Sequence, residues 1–215
     1  MRPLIQLDSM KATMKTLSAI LICCFISTIQ MYGENIQRPE SENYVKGVEA
    51  LNEGNPEAAY TYLNAEINEH PDNGYAHCYM ALICNFCNDT KLALQALNSS
   101  LELIPEADTE YRSFAHYSRG VLLSNLKMWE RAEADLNEAI RLNPEDVENY
   151  KSRAQLYFET ERYEESLDDL TRALKLDSKA DVNDLMLQLM AVAPTSEFME
   201  RITATYQQLD QVTIH

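Results

Sequence analysis

The chain has 215 residues, 46% of them hydrophobic, and a formal net charge of −16. That length holds one ordinary domain or a short stack of repeats, and the acidic balance argues against nucleic acid as a partner, because the phosphate backbone would be repelled. Five glycines and seven prolines, scattered along the chain, leave long stretches free for helix and argue against a many-stranded sheet with tight turns.

In chain order, the first feature is an address. No charged residue occurs between Thr16 and Gly33, and the apolar run Leu17 to Ile29 follows Met14-Lys15 directly. A short basic start and an apolar core too brief for a full span fit a secretory signal better than a transmembrane helix. Residues 1–33 are therefore expected to be a signal peptide or an N-terminal anchor, with Met14 as an alternative start. Cys23 and Cys24 suggest lipidation, but Ile22 stands where a small residue is needed before Cys23. The expected destination is outside the cytoplasm, in the periplasm or envelope, with membrane contact only through this segment if it is retained.

Beyond the leader a beat organises the sequence. A small residue is followed by another 12 positions later and by a proline 12 after that in Gly47, Ala59, Pro71; in Ala81, Ala93, Pro105; and in Gly120, Ala132, Pro144. Ala154, Ser166 and Ser178 keep the spacing without the proline. Successive sets are 34, 39 and 34 residues apart, and the longer step places an insertion near Asp108 to Arg112, expected to lengthen a turn. Two antiparallel helices approach closely only where side chains are small, and proline cannot continue a helix. Gly54-Asn55-Pro56, Asn88-Asp89-Thr90 and Leu142-Asn143-Pro144-Glu145 supply turn chemistry between elements. Glu66 departs from the pattern, standing where Ser100, Ala139 and Ala173 are small, as does Lys46 at an apolar position. Arg119 with Asp135, and Arg153 with Asp169, share a 16-residue spacing that predicts ion pairs across helices.

This pattern resembles the tetratricopeptide repeat over about residues 40–179, in units 40–73, 74–107, 113–146 and 147–180. The resemblance implies an all-α, right-handed superhelical stack of antiparallel helix pairs whose first helices line a concave groove. Matching residue by residue, it places Tyr44, Val48, Leu51 and Asn52 on that face from the first unit, and Tyr75, Cys78, Leu82, Asn85 and Phe86 from the second. Phe114, Tyr117, Val121 and Asn125 follow from the third, and Lys151, Gln155 and Phe158 from the fourth. An aromatic and apolar face with interspersed amides suits a protein or peptide partner, and alternatively a glycan or other small molecule. The cationic clamp with which some members grip a terminal carboxylate is not matched, since Tyr44, Val48, Tyr79, Phe114 and Ser118 occupy its places.

Two further amphipathic helices, 181–193 and 197–209, are expected to cap the last repeat (region 181–215) through Phe198, Ile202, Tyr206 and Leu209, with Thr195 or Ser196 opening the second. Cys78, Cys84 and Cys87 cluster near His77; core packing is the favoured reading, with a Cys84–Cys87 disulfide and a metal site as the other two. The four histidines are dispersed and no phosphate loop or hydrolase motif occurs. Glu164-Glu165 and Asp168-Asp169 read as solvated helix surface. The chain is thus expected to be no enzyme, to need no cofactor and to act as a scaffold.

Overall fold

The computed structural model describes residues 36–193 and 195–212, with side chains described as far as residue 205. The expected leader at 1–33, with Met14, Cys23 and Cys24, lies outside the described residues, as do the side chains of Tyr206 and Leu209. Among the described residues there are ten helices and no strand: α1 Glu42–Asn52, α2 Pro56–Glu69, α3 Gly74–Phe86, α4 Thr90–Leu103, α5 Thr109–Asn125, α6 Trp129–Leu142, α7 Val147–Glu159, α8 Tyr163–Leu176, α9 Asn183–Val192 and α10 Ser196–Val212. They fall into two compact units, one ending at Asp108 and the other starting at Thr109.

Each unit is made of antiparallel helical hairpins, α1–α2 and α3–α4 in the first, α5–α6 and α7–α8 in the second. The small residues are what let the paired helices touch. A Cβ built on Gly47 would lie 2.7 Å from Leu63 Cγ, and one on Gly120 would lie 2.9 Å from Leu136 Cγ, so leucine fills the space that glycine vacates. Ala81 and Leu97, and Ala154 and Leu170, stand at the same spacing in the other two hairpins, and all four are buried. At the second small position Ala59, Ala93, Ala132 and Ser166 are fully buried. The Ser166 hydroxyl donates to the Ala154 carbonyl at 2.8 Å, which satisfies the one polar group in that set.

The turns inside the hairpins repeat a single device. Gly54, Asn88, Lys127 and Glu161 have φ of 72°, 59°, 58° and 61°, and the residue after each donates its N–H back into the preceding helix: Asn55 to Ala50, Asp89 to Cys84, Met128 to Leu123 and Arg162 to Tyr157. This is the left-handed helix stop that satisfies otherwise orphaned carbonyls. Lys127 and Glu161 adopt it at a steric cost of about 1–2 kcal/mol relative to glycine. The second helix of each pair then starts from Asn55, whose side chain accepts from the Ala58 N–H, or from Asp89, which accepts from that of Leu92; Met128 and Arg162 give no such cap.

One sequence expectation is revised. The inserted residues after Pro105 do not lengthen a loop: α5 begins at Thr109 and is 17 residues long against 13 for α3 and α7, so most of the insertion became an extra helical turn. Glu66, the departure from the small-residue pattern, is accommodated in the core: its Oε1 accepts from Asn73 Nδ2 at 2.8 Å while Asn73 Oδ1 caps α3 through the Ala76 N–H. At the C-terminal end, Thr195 Oγ1 accepts from the Phe198 N–H to open α10. Phe198 and Ile202 are fully buried against Met186, Leu189, Leu170 and Leu174, so α9 and α10 close the core of the second unit. Leu187, Met190 and Val192 of α9 point outward. No described helix is long and apolar enough to cross a membrane.

Candidate functional site

In the first unit, the residues expected on the first-helix face divide by depth. Tyr44, Leu51 and Tyr75 are buried, as is Cys78, whereas Val48, Leu82 and Phe86 are half-buried and Asn52 and Asn85 exposed. The tyrosines therefore serve packing first: Tyr44 tilts against Tyr79 at 6.1 Å between ring centroids. The Tyr75 hydroxyl donates to Asp108 Oδ2 at 3.0 Å. Asp108 is only 1% exposed, and Arg38, from the segment preceding α1, closes on it with Nε at 3.1 Å from Oδ2 and Nη2 at 3.2 Å from Oδ1. Sequence reasoning missed this trio, because Asp108 sits in the insertion that breaks the beat and Arg38 lies before the first repeat.

In the second unit, Phe114, Tyr117, Val121 and Asn125 occupy one stripe of α5, since residues three and four apart share a helix face. Phe114 and Tyr117 stack at 6.5 Å with an interplanar angle of 26°. Burial pushes the Tyr117 phenol up to about 12, partly offset by a hydrogen bond with Ser152, which ties α5 to α7. Val121 is half-buried and Asn125 exposed. From α7, Phe158 packs against Tyr163 at 5.6 Å. Lys151 and Gln155 are held by acids of their own helix, Glu148 at 2.8 Å and Glu159 at 3.0 Å.

The expected ion pairs exist, and they are bidentate. Arg119 places Nε and Nη2 each 2.8 Å from Asp135, and His116 Nδ1 lies 2.9 Å from the same carboxylate. Arg153 grips Asp169 at 2.8 and 2.7 Å and donates to Asn137 Oδ1 at 2.7 Å, so it bridges two successive second helices. The two carboxyls diverge. Burial raises both, but hydrogen bonds from Arg119 and His116 hold Asp135 below its ordinary value, whereas Asp169, with Arg153 alone bonded to it, stays above. Missed by the sequence reading was a third tie in this unit, in which Arg162 meets Glu133 at 2.9 Å and stacks 4.1 Å from the Tyr157 ring, whose hydroxyl donates to Glu133.

Cys78, Cys84 and Cys87 are free thiols in the structure. Burial pushes Cys78 up to about 12, and burial with the nearby Asp89 raises Cys84; only Cys87 is exposed. Because the thiolate is the reactive form, an alkylating agent on the native protein at pH 8 is expected to label Cys87 at least tenfold faster than Cys78. Peptide mapping by mass spectrometry reads the order, and comparable rates would contradict the packing of α3 on α4. Among the described residues no group of three His, Cys, Asp or Glu side chains is placed to share a metal ion.

Helical hairpins nested through small residues on a fixed beat, each with the same internal turn, define a repeat protein of the all-α solenoid class. Residues 113–146 and 148–179 each match a family model described as tetratricopeptide repeat. These two stretches of the second unit are tetratricopeptide repeats. The chain is 31% identical over 87 residues to a lipoprotein NlpI homolog of Haemophilus influenzae, covering 40% of this chain and 28% of that protein. The chain spans about a quarter of the length of the curated relatives it matches. Among solved structures it is similar in fold to MamA from Desulfovibrio magneticus RS-1, with a TM-score of 0.63 and 18% identity over 80% of this chain and 93% of that one. It is also similar to PilF of Pseudomonas aeruginosa, with a TM-score of 0.63 and 19% identity over 79% of this chain and 74% of that one.

Proposed function

We propose that this chain is a non-catalytic adaptor of the cell envelope that captures a protein or peptide on the first-helix faces of its repeats. The observation that carries the reading is the stripe on α5, where stacked Phe114 and Tyr117 continue into half-buried Val121 and exposed Asn125. Such a strip offers aromatic area at low entropic cost and an amide for a partner's backbone. The envelope location rests on the leader pattern at 1–33 and on the similarity to a lipoprotein homolog.

Because Tyr75 and Tyr117 are tied into the fold, the informative variant uses the more accessible residues of the stripe. Phe114→Ala/Val121→Ala/Asn125→Ala is expected to reduce capture of partner from native envelope extract at least tenfold while circular dichroism keeps its helical signal. Tyr60→Ala, an exposed tyrosine on the second helix α2, should leave capture unchanged. Equal capture by all three proteins would remove the stripe as the binding surface.

A further inference from the structure

Asp108 is an acid that the fold buries and then aims at a visitor from outside the repeats. It is the last residue of the first unit, held in a turn by its own N–H, which donates to the Pro105 carbonyl at 3.0 Å. With 1% of its surface exposed, its carboxylate has lost nearly all of its water and needs charged or polar partners. Tyr75, in the first turn of α3, donates one hydrogen bond to it. Arg38 adds a two-pronged contact while remaining 27% exposed itself. Arg38 is not part of any helix, and 70 residues separate it from Asp108. Pro39 follows it, which disfavours helix at Arg38 and keeps the backbone extended. What lies on Asp108 and Tyr75 is therefore an extended segment presenting one arginine, at the end of the α3 face that carries Leu82 and Phe86.

We infer that the first unit holds a subsite for an arginine side chain on an extended peptide, built from Asp108 and Tyr75, which residues 36–41 of the chain fill in cis. This rests on the proposed peptide-binding role and names the chemistry of that ligand. A planar guanidinium forking onto a carboxylate is the strongest common match for a buried acid, which lysine does not reproduce. The lead-in then acts as an internal competitor: a partner must displace Arg38, and the linked segment holds its place through high effective concentration.

The test adds a fluorescent peptide of the sequence of residues 36–43 to the full chain. The Arg38→Ala protein, which lacks the competing guanidinium, is expected to bind this peptide at least tenfold more tightly than the wild type. A peptide with alanine in place of its arginine should lose that binding, and adding Asp108→Asn to the Arg38→Ala protein should abolish it. Should Asp108→Asn fail to fold, Tyr75→Phe on the Arg38→Ala background keeps the ring and is expected to weaken binding several-fold. Equal binding by wild type and Arg38→Ala, equal binding of the arginine-free peptide, or no binding at millimolar peptide each overturns the inference. The Phe114→Ala/Val121→Ala/Asn125→Ala change, made on the Arg38→Ala background, should not affect this assay, so failure here is separate from failure of the α5 stripe.

Discussion

Replacing Arg153 by methionine is expected to lower the free energy of unfolding by about 3 kcal/mol, the low end for breaking a buried ion pair. The side chains of Arg153 and Asp169 are 19% and 8% exposed, so removing the guanidinium strands a carboxylate in a place water barely reaches. Burial already holds Asp169 above its ordinary value with Arg153 pulling it down, and the loss of that pull drives the carboxyl further toward the neutral form. Asn137 loses its bond to Arg153 at the same time. Replacing Asp169 by leucine together with Arg153→Met should recover much of the loss, since a well-packed apolar pair of similar volume can match a buried ion pair. Arg141→Met is the contrast: Arg141 also grips an acid in two-pronged fashion, Glu138, but it is 66% exposed, so its loss should leave the unfolding midpoint almost unmoved. Urea denaturation of the wild type, Arg153→Met, Asp169→Leu, the double variant and Arg141→Met, with the coupling extracted from the first four, gives the answer. If Arg153→Met and Arg141→Met cost the same, the Arg153 pair is surface decoration.

That pair shows why one part of this protein could be read from sequence and another could not. Gly47, Ala81, Gly120 and Ala154 announce themselves because the same steric demand recurs in every hairpin and only small side chains meet it. The spacing of Arg119 to Asp135 and Arg153 to Asp169 is legible for the same reason, being a repeated contact at a repeated interval. Contacts that occur once leave no such trace. His116 meets Asp135 at no interval that returns elsewhere, and Arg162 reaches Glu133 across 29 residues. Glu66 looks like an error against the pattern until Asn73 is seen to satisfy one of its oxygens. The turns at Lys127 and Glu161 carry no glycine, so residue type conceals a conformation that hairpin geometry imposes. The candidate surface was harder still, because a tyrosine on a first helix can face a partner or fill the layer beneath. Tyr44 and Tyr75 took the inner role and Phe114 remained half-exposed, a choice made by neighbouring side chains rather than by spacing.

Phe198→Ala is expected to cost about 3–5 kcal/mol, the range for emptying a fully buried aromatic site. Its ring is among the largest fully buried side chains described, packed in the same cluster as Met186, Leu189, Ile202 and Leu170. A stack of hairpins must end somewhere, and an uncovered last layer would expose Leu170 and Leu174 to water. Helix α10 meets that need through Phe198 and Ile202 on its inner side, while Arg201 beside them pairs with Glu164 and Asp168 of α8. Those acids and Arg201 are largely exposed, so Arg201→Ala should cost under about 1 kcal/mol and the apolar contact carries the docking. Thermal unfolding should therefore fall by several degrees for Phe198→Ala and little for Arg201→Ala. Limited proteolysis should in addition cut the Phe198→Ala protein first between α9 and α10, since local opening precedes global unfolding where stabilising contacts are fewest. A Phe198→Ala protein as stable and as protease-resistant as the wild type would mean that the last two helices merely rest on the repeats, and that the second unit ends at α8.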